Sequence, residues 1–216
     1  MITLAKKFIR HGLRRGAFEF EERILNSNRL SPYFFNSGVL YTGESLNFIA
    51  RAYIATIATI ERNSCPDVIF GTAYKGIPIA TAIVKTMGGD IGLAYDRKEF
   101  KDHGEGNDFV GAPVDGRNVV IVDDAMSTGR SLRKAVLNIR ARGGNVTGCV
   151  IAFDRQEMGE DGDQSAIKEF ENDFGIPVRS IASLADLVDE LEDQILEFWS
   201  VIPKIFSYRS QYGARY

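Results

Sequence analysis

Two adjacent carboxylates, Asp123 and Asp124, follow an apolar run and precede a short polar turn. The run at residues 119–122 consists of valine and isoleucine, which is typical of a strand buried on both faces of a parallel sheet. After the turn, apolar residues recur at helical spacing, at Leu132, Ala135, Val136 and Ile139. Residues 119–131 therefore predict a strand, a loop and the start of a helix.

The turn and the carboxylates suit different parts of one ligand. In a strand–loop–helix unit the ligand lies at the carboxyl end of the strand, beside the helix N-terminus. Ser127, Thr128 and Gly129 offer hydroxyls and backbone N–H groups to an anion there, so they suit a phosphate. Asp123 and Asp124 would repel a phosphate placed directly on them, so they suit sugar hydroxyls or a divalent cation. The segment predicts a sugar-phosphate site.

An apolar run that ends in two aspartates is a common pattern. Taken alone, it also describes a Walker B-like strand or an ordinary strand before a capped helix. The turn follows at once, and the chain has no Gly-x-x-x-x-Gly-Lys-Ser/Thr segment, so the sugar-phosphate interpretation is favoured.

The composition is that of an ordinary globular protein. The 216 residues suffice for one domain, and 44% of them are hydrophobic and 25% charged. The formal net charge of −3 gives no general attraction to nucleic acid or to an acidic membrane, so neither is expected as a partner. No apolar stretch is long enough to span a bilayer, and no signal-peptide core follows the first methionine, which favours a cytoplasmic protein. Cys65 and Cys149 stand far apart, which argues against a disulfide or a zinc site, and both are expected in or near the core.

Strand and helix patterns alternate from residue 67 onward, which predicts an α/β fold with a parallel sheet and right-handed crossovers. The predicted strands are residues 67–71, 91–97, 118–123, 146–153 and 178–181. The predicted helices are residues 43–60, 77–87, the later part of 127–143, 165–174 and 184–199.

The two ends of the chain carry weaker patterns. Residues 1–16 are basic and share an apolar helical face, which predicts a docked amphipathic helix with His11 on its surface. Residues 17–22 and 29–37 predict short antiparallel strands around a turn at 26–28. For the aromatic and basic tail at 204–216, terminal packing or disorder is favoured over stacking on RNA.

A polar, glycine-containing loop at residues 96–107 separates two predicted strands. Its length and composition predict a surface loop that can close over a ligand. Its cations suit a polyphosphate; they are Arg97, Lys98, Lys101 and His103. A solvated run of charges is the alternative, because acidic residues make the loop nearly neutral.

A second loop, at residues 71–78, also joins a buried strand to a helix. This arrangement places Tyr74 and Lys75 at the same sheet edge as Asp123. Lys75 suits a second phosphate, and a tight turn with an exposed lysine explains the segment equally well.

Aromatic residues and an arginine complete the candidate site. Tyr33, Phe34 and Phe35 are adjacent on a predicted strand, so at least one ring points away from the core and can stack on a planar ligand. Core packing against the first helix is the alternative. Arg155 follows a buried strand, where its guanidinium can bind a carboxylate or make a strand-end salt bridge.

Together these segments resemble the orotate phosphoribosyltransferase family. The matching segments extend over nearly the entire chain; they are residues 31–36, 73–78, 97–99, 101–106, 122–124 and 154–157. The resemblance implies the type I phosphoribosyltransferase fold, a parallel twisted sheet flanked by helices, in a single domain 1–216. It also implies a small hood formed by residues 1–40 and part of the C-terminal region.

The implied reaction joins orotate to the ribosyl group of phosphoribosyl pyrophosphate (PRPP). It forms orotidine 5′-monophosphate and pyrophosphate in the synthesis of pyrimidine nucleotides, with Mg²⁺ as cofactor. The implied assembly is a homodimer in which residues 98–108 of one subunit reach the neighbouring site.

The resemblance also implies roles for individual residues. The implied PRPP-binding residues are Asn26, Tyr74, Lys75, Arg97, Lys98, Lys101, His103, Asp123, Asp124, Ala125, Met126, Ser127, Thr128, Gly129, Arg130 and Ser131. The implied orotate-binding residues are Phe34, Phe35, Ser127 and Arg155, and the implied catalytic residues are Lys101, His103, Asp123 and Asp124. No side chain is assigned as a direct Mg²⁺ ligand; Asp123 and Asp124 are the candidates to act on it through water or ribose hydroxyls.

The sequence departs from the family pattern in the hood turn. Asn26 stands where the family usually has a lysine, and Asn28 where it usually has glycine, so one cation for the pyrophosphate is missing. Asparagine can still donate a hydrogen bond to a phosphate oxygen. Ser127 replaces a frequent threonine and keeps the hydroxyl.

Two other functions remain open. A transferase for another base would not need Arg155 to bind a carboxylate. A regulator that only binds PRPP would keep the segment around Asp123 but would have an eroded loop and, usually, an added basic DNA-binding segment. The loop at residues 96–107 is intact and the chain is acidic, which favours the enzyme.

Overall fold

The computed structural model describes residues 2–25, 27–60, 65–97, 109–126, 128–159, 162 and 164–214. The helices are α1 (Leu4–Arg14), α2 (Gly43–Ile60), α3 (Gly76–Met87), α4 (Arg130–Arg140), α5 (Ala166–Phe174), α6 (Leu184–Glu192), α7 (Ile195–Phe198) and α8 (Ile202–Tyr212). The strands are β1 (Phe18–Glu19), β2 (Arg23–Ile24), β3 (Leu30–Ser31), β4 (Phe34–Phe35), β5 (Val68–Gly71), β6 (Gly92–Asp96), β7 (Phe109–Gly111), β8 (Asn118–Met126), β9 (Asn145–Asp154) and β10 (Val178–Ser183).

The main sheet has the strand order β10-β9-β8-β5-β6-β7 in the described part of the chain. Neighbouring strands pair in parallel except at one edge, where β7 runs antiparallel to β6. The predicted α/β class is confirmed, and the prediction of a wholly parallel sheet is wrong at β7. This strand has only three residues, too few to show a hydrophobic pattern.

Strand β8 is buried on both faces, as its β-branched run predicted. Val120 and Val122 pack into a core with α1, α2, α3, α6 and α8, whereas Val119 and Ile121 face a second core with α4 and α5. The strand does not end at residue 123 as predicted but continues to Met126, because its pairing with β9 continues to that residue. Asp123 and Asp124 therefore lie within the strand, each 8% exposed, and not at its rim.

Helix α1 is amphipathic, as predicted, and the Thr3 side chain caps it by accepting the Lys6 N–H. The prediction that His11 lies on the surface is wrong. His11 is 6% exposed, its Nε2 lies 3.0 Å from the Ser45 hydroxyl, and its ring stacks on Phe48. It lies three positions after the buried Phe8, on the side of α1 that packs against α2. Burial, followed by the nearby Arg15, lowers the pKa of the imidazole, so the ring is neutral at pH 7.

The structure departs from the predictions at a helix and at a cysteine, and it confirms the packing of the tail. The helix predicted at residues 184–199 is interrupted after α6, whose last turn is acidic and so opposes the helix dipole. The tail forms α8 and packs against α6, which confirms terminal packing. Cys65 is exposed, contrary to prediction, whereas Cys149 is buried.

Within the described ranges, no helix combines the length and hydrophobicity needed to cross a membrane.

The short N-terminal strands pair as antiparallel ladders, β1 with β4 and β2 with β3, as predicted. The β1–β4 ladder rests on Phe153 near the end of β9: its ring centroid lies 5.3 Å from that of Phe18, 5.5 Å from that of Phe35 and 6.3 Å from that of Tyr33. This aromatic cluster fixes the aromatic segment at residues 33–35 above the carboxyl end of the sheet.

Replacing Phe153 with alanine removes a ring shared by three neighbours and leaves a cavity. We expect the free energy of unfolding to fall by about 3–5 kcal/mol, measured by chemical denaturation followed by circular dichroism. Phe206→Ala, at a largely exposed ring on α8, is the matched control and should change it by less than about 1 kcal/mol. Equal losses in the two variants would contradict the packing role of Phe153.

Candidate active site

A cavity of about 660 Å³ opens at the carboxyl ends of β5, β8 and β9. It brings together residues that the sequence predicted from four separate segments. These are Phe34, Phe35, Tyr74, Lys75, Asp123, Asp124, Ala125, Ser131 and Arg155. The parallel strands explain this convergence, because their carboxyl ends meet at one edge of the sheet.

The two carboxylates of β8 are held by short-range contacts. The Asp124 N–H donates to Asp123 Oδ1 at 2.9 Å, and the Ala125 N–H donates to Asp124 Oδ1 at 2.9 Å. The Tyr53 hydroxyl, on the buried side of α2, donates to the Asp123 carbonyl at 2.7 Å. Burial, and then the charge of Asp124, raises the pKa of Asp123 to about 7. One carboxyl of the pair is therefore partly protonated near neutral pH.

Asp124 makes the contacts that extend across the cavity. Its Oδ2 accepts the Ser37 hydroxyl at 2.8 Å and lies 3.0 Å from Lys75 Nζ. The same ammonium lies 5.5 Å from the centre of the Phe34 ring, and the Arg23 guanidinium carbon lies 4.4 Å from that centre. The half-buried Phe34 ring thus lies near two cations at the cavity wall.

The turn that carries Lys75 is held close to the sheet by two glycines. A Cβ at Gly71 would lie 2.5 Å from the Gly76 carbonyl oxygen, and one at Gly76 would lie 2.5 Å from the Val122 carbonyl oxygen. Neither position tolerates a side chain, because each neighbour is backbone. The Ala73 N–H donates to Asp96 Oδ1 at 2.9 Å, which ties the turn to the end of β6.

A smaller cavity of about 130 Å³ lies beside the first, at the N-terminus of α4. Its lining residues are Asp123, Ala125, Met126, Thr128, Gly129, Arg130, Ser131 and Leu132. Gly129 caps the helix at φ +72°, a left-handed conformation that favours glycine. The end of a helix in a small polar cavity suits a phosphate.

Arg155 makes the salt bridge that was one interpretation of its position, and its binding of a ligand carboxylate stays a prediction. It lines the larger cavity, yet it is only 5% exposed and is paired with the protein itself. Its Nε donates to Glu157 Oε1 at 2.6 Å, and its Nη2 donates to the Ser31 hydroxyl at 2.9 Å. The guanidinium is held in place without being removed from the cavity.

Some candidates are not placed by the structure. Asn26, Lys98, Lys101, His103 and Ser127 lie outside the described residues, as does the rest of the 98–108 segment. Arg97 is exposed just after β6. Sequence reasoning missed Arg23, Ser37 and Tyr53; of these, only Tyr53 carried a signal, a hydroxyl on the apolar face of a predicted helix.

The chain matches the model of the phosphoribosyl transferase domain over residues 40–182. It is 43% identical over 217 residues to the orotate phosphoribosyltransferase of Nitrosococcus oceani, covering 99% of this chain and 97% of that protein. It is 45% identical over 211 residues to that of Marinobacter nauticus, covering 96% and 97%.

The chain belongs to the orotate phosphoribosyltransferase family.

The fold agrees with this membership of the orotate phosphoribosyltransferases. A crystal structure of the orotate phosphoribosyltransferase of Francisella tularensis superposes with a TM-score of 0.79 at 33% identity, covering 96% of this chain and 100% of that one. The type I phosphoribosyltransferase fold expected from the sequence is confirmed.

The Mg²⁺ expected for an orotate phosphoribosyltransferase has one candidate position in the described residues. Within those residues no three His, Cys, Asp or Glu side chains gather as a metal-binding cluster. The donor set is the adjacent pair Asp123 and Asp124. One or two carboxylates beside substrate oxygens and water suit Mg²⁺, which seldom uses an all-protein cage.

The raised pKa of Asp123 predicts how the free energy of unfolding changes with pH. The folded state holds this proton up to about pH 7, whereas the unfolded state loses it near about pH 4, so Asp123 lowers stability as pH rises between these values. We expect Asp123→Asn to raise the free energy of unfolding by about 2–4 kcal/mol at about pH 8, with the gain vanishing near about pH 4.

Thermal unfolding across this pH range measures the effect, with Asp90→Asn as the control at an exposed carboxylate. A gain of the same size at both ends of the range would show that burial of charge at Asp123 is not its cause.

Proposed function

We propose that this protein transfers the 5-phosphoribosyl group from PRPP to orotate, forming orotidine 5′-monophosphate and pyrophosphate in pyrimidine nucleotide synthesis. The observation that carries this proposal is a pair of adjoining cavities that share Asp123. The larger one is lined by the paired carboxylates, a lysine, an aromatic ring and a buried arginine, and the smaller one by the turn at the start of α4. The chain also belongs to the orotate phosphoribosyltransferase family over nearly its whole length.

The ribose and its 5′-phosphate occupy the β8–α4 side of the site. Asp123 and Asp124 accept hydrogen bonds from the ribose hydroxyls. Thr128, Gly129 and the neighbouring Ser127 bind the phosphate at the start of α4, where backbone N–H groups lack helical partners. Asp123 and Asp124 would hold Mg²⁺ through water or ribose hydroxyls, and the ion would supply positive charge to the pyrophosphate.

The pyrophosphate lies among cations on the opposite side. Lys75 Nζ lies 3.0 Å from Asp124 Oδ2, and ribose hydroxyls that bind Asp124 release this ammonium to the pyrophosphate. The remaining groups proposed to surround it are Asn26, Tyr74, Arg97, Lys98, Lys101 and His103. Cleavage at the anomeric carbon leaves a cationic sugar and a pyrophosphate that gains charge, so cations around the leaving group lower the barrier.

Orotate lies between Phe34 and Arg155. The half-buried Phe34 ring stacks on the pyrimidine, Phe35 supports the ladder from below, and Arg155 binds the carboxylate. Orotate is already an anion, so the site has to orient its nitrogen towards the anomeric carbon more than to activate it.

The direct experiment mixes protein, Mg²⁺, PRPP and orotate and follows the loss of orotate absorbance. We expect turnover that depends on all three additions, because PRPP and orotate are the substrates and Mg²⁺ would supply charge at the pyrophosphate. Turnover with hypoxanthine or uracil and none with orotate would favour a transferase for another base. PRPP binding without turnover on any base would favour a regulator.

We further propose a homodimer in which residues 98–108 of one subunit bring Lys101 and His103 to the neighbouring site. Lys101→Ala and Asp124→Asn should each be nearly inactive as single species. Coexpressed with different affinity tags, they form mixed dimers in which one site has both an intact Asp124 and an intact Lys101 from the partner. A random mixture should recover about one quarter of the wild-type rate.

A loop that serves its own subunit predicts a different result. Each site in the mixed dimer would then lack one of the two residues, so the rate would stay at the level of the single variants. Coexpression of Lys101→Ala carrying one tag with Lys101→Ala carrying the other tag controls for the effect of the tags.

A further inference from the structure

A chain of buried polar groups lies behind Arg155 and joins distant parts of the sequence. Glu157 is 3% exposed, and its Oε1 accepts both Arg155 Nε at 2.6 Å and the Tyr208 hydroxyl at 2.8 Å. Its Oε2 accepts Arg29 Nη1 at 3.0 Å. Glu157 therefore contacts residues from the N-terminal ladders, the end of β9 and α8 at once.

These contacts determine the orientation of the Arg155 guanidinium. Glu157 binds one edge, the Ser31 hydroxyl binds Nη2, and the Tyr33 ring centre lies 4.2 Å from the guanidinium carbon. Arginine has five N–H donors, and these contacts use two of them. The side chain still lines the cavity, so donors remain for a ligand.

The hydrogen-bonded groups Arg29, Arg155 and Glu157 carry two positive charges and one negative charge. Burial raises the pKa of the neighbouring Asp154 carboxyl, which disfavours a second negative charge beside them. Burial, and then the charge of Glu157, raises the pKa of Tyr208 to about 12, so its hydroxyl stays protonated and donates. Unpaired charge is costly in a buried position, so this cluster favours an anionic ligand over a neutral one.

The C-terminal region holds Glu157 from outside the sheet. The Met158 N–H donates to the Tyr212 carbonyl at 2.9 Å, and the Ala214 N–H donates to the Gln156 carbonyl at 2.9 Å. The Arg29 guanidinium carbon lies 5.2 Å from the Tyr212 ring centre. Residues 156–158 are thus bound on both sides to α8 and the residues that follow it.

We propose that Glu157 is the positioning residue for Arg155, and that Tyr208 and Arg29 hold Glu157 in place so that α8 sets the selectivity for a carboxylate-bearing pyrimidine. A guanidinium recognises a carboxylate only when its planar edge faces it, so the orientation governs affinity. Because the edge is fixed before orotate binds, little ordering is required on binding. This inference rests on the proposed function.

The test is a double-mutant cycle between Glu157→Gln and Arg155→Ala, read as kcat/KM for orotate at saturating PRPP. Glutamine keeps the shape but loses the charge-assisted bond to Arg155 and places an amide donor near Arg29. When Arg155 is intact, we expect Glu157→Gln to lower kcat/KM for orotate by about 10- to 100-fold, with KM for PRPP unchanged. In the Arg155→Ala background we expect Glu157→Gln to have no further effect, because it acts through Arg155.

Two further variants separate positioning from a general loss of stability. Tyr208→Phe keeps the ring and removes the hydroxyl that donates to Glu157, so a loss of about 2- to 10-fold is expected even if Glu157→Gln does not fold. Glu190→Gln is the matched control. Glu190 is also buried and paired with an arginine, Arg10 at 2.8 Å, but it lines a separate cavity against α1 and α2.

Glu190→Gln should leave kcat/KM for orotate unchanged. An unchanged or increased kcat/KM in Glu157→Gln or Tyr208→Phe would overturn the inference, as would an equal loss from Glu157→Gln with and without Arg155. The proposed function itself stands on turnover of orotate by the unaltered protein, so its failure is distinguishable from a failure of this inference.

Discussion

The burial of two adjacent carboxylates within β8 is the constraint on which the site depends. Asp123 and Asp124 lie where a parallel sheet leaves little room for water, and burial disfavours a charge on both. The structure meets this constraint with Ser37 and Lys75 at Asp124 and with backbone N–H groups at both carboxylates. The turn that carries Lys75 must therefore lie close to the strand, which explains glycine at positions 71 and 76.

The same strand separates the two cores and so determines what can surround the carboxylates. Helix α4 packs on one face of β8 and presents its N-terminus beside Asp123. On the other face, α2 brings Tyr53 to the Asp123 carbonyl, and the aromatic cluster on Phe153 supports the β1–β4 ladder. The N-terminus of α4 and the Phe34 ring thus reach two adjoining cavities from opposite faces of the sheet.

The sequence predicted the elements and residues whose signals are local. The apolar run before Asp123, the helical spacing after it and the loop at Lys75 each lie within a few residues of the feature they predict. The burial of His11 depends on which side of α1 meets α2, and β7 is too short to show a pattern. Glu157, the partner of Arg155, lies two residues away in the same segment. Tyr208, which donates to Glu157, lies 51 residues further along the chain, and only the folded chain reveals this contact.

Two cations that line the larger cavity, Lys75 and Arg155, are held in different ways. The Lys75 side chain is 44% exposed and pairs with a single carboxylate at 3.0 Å, so ribose hydroxyls can take its hydrogen-bonding place at Asp124. Arg155 is buried, and Glu157, Ser31 and Tyr33 hold it, so its release would break a buried ion pair. Under the proposed function, the cation that follows the departing pyrophosphate has to change partners, whereas the one that orients orotate has to stay fixed. The exposed Lys75, with its single partner, therefore suits the leaving pyrophosphate. The buried Arg155, with its several contacts, suits the base.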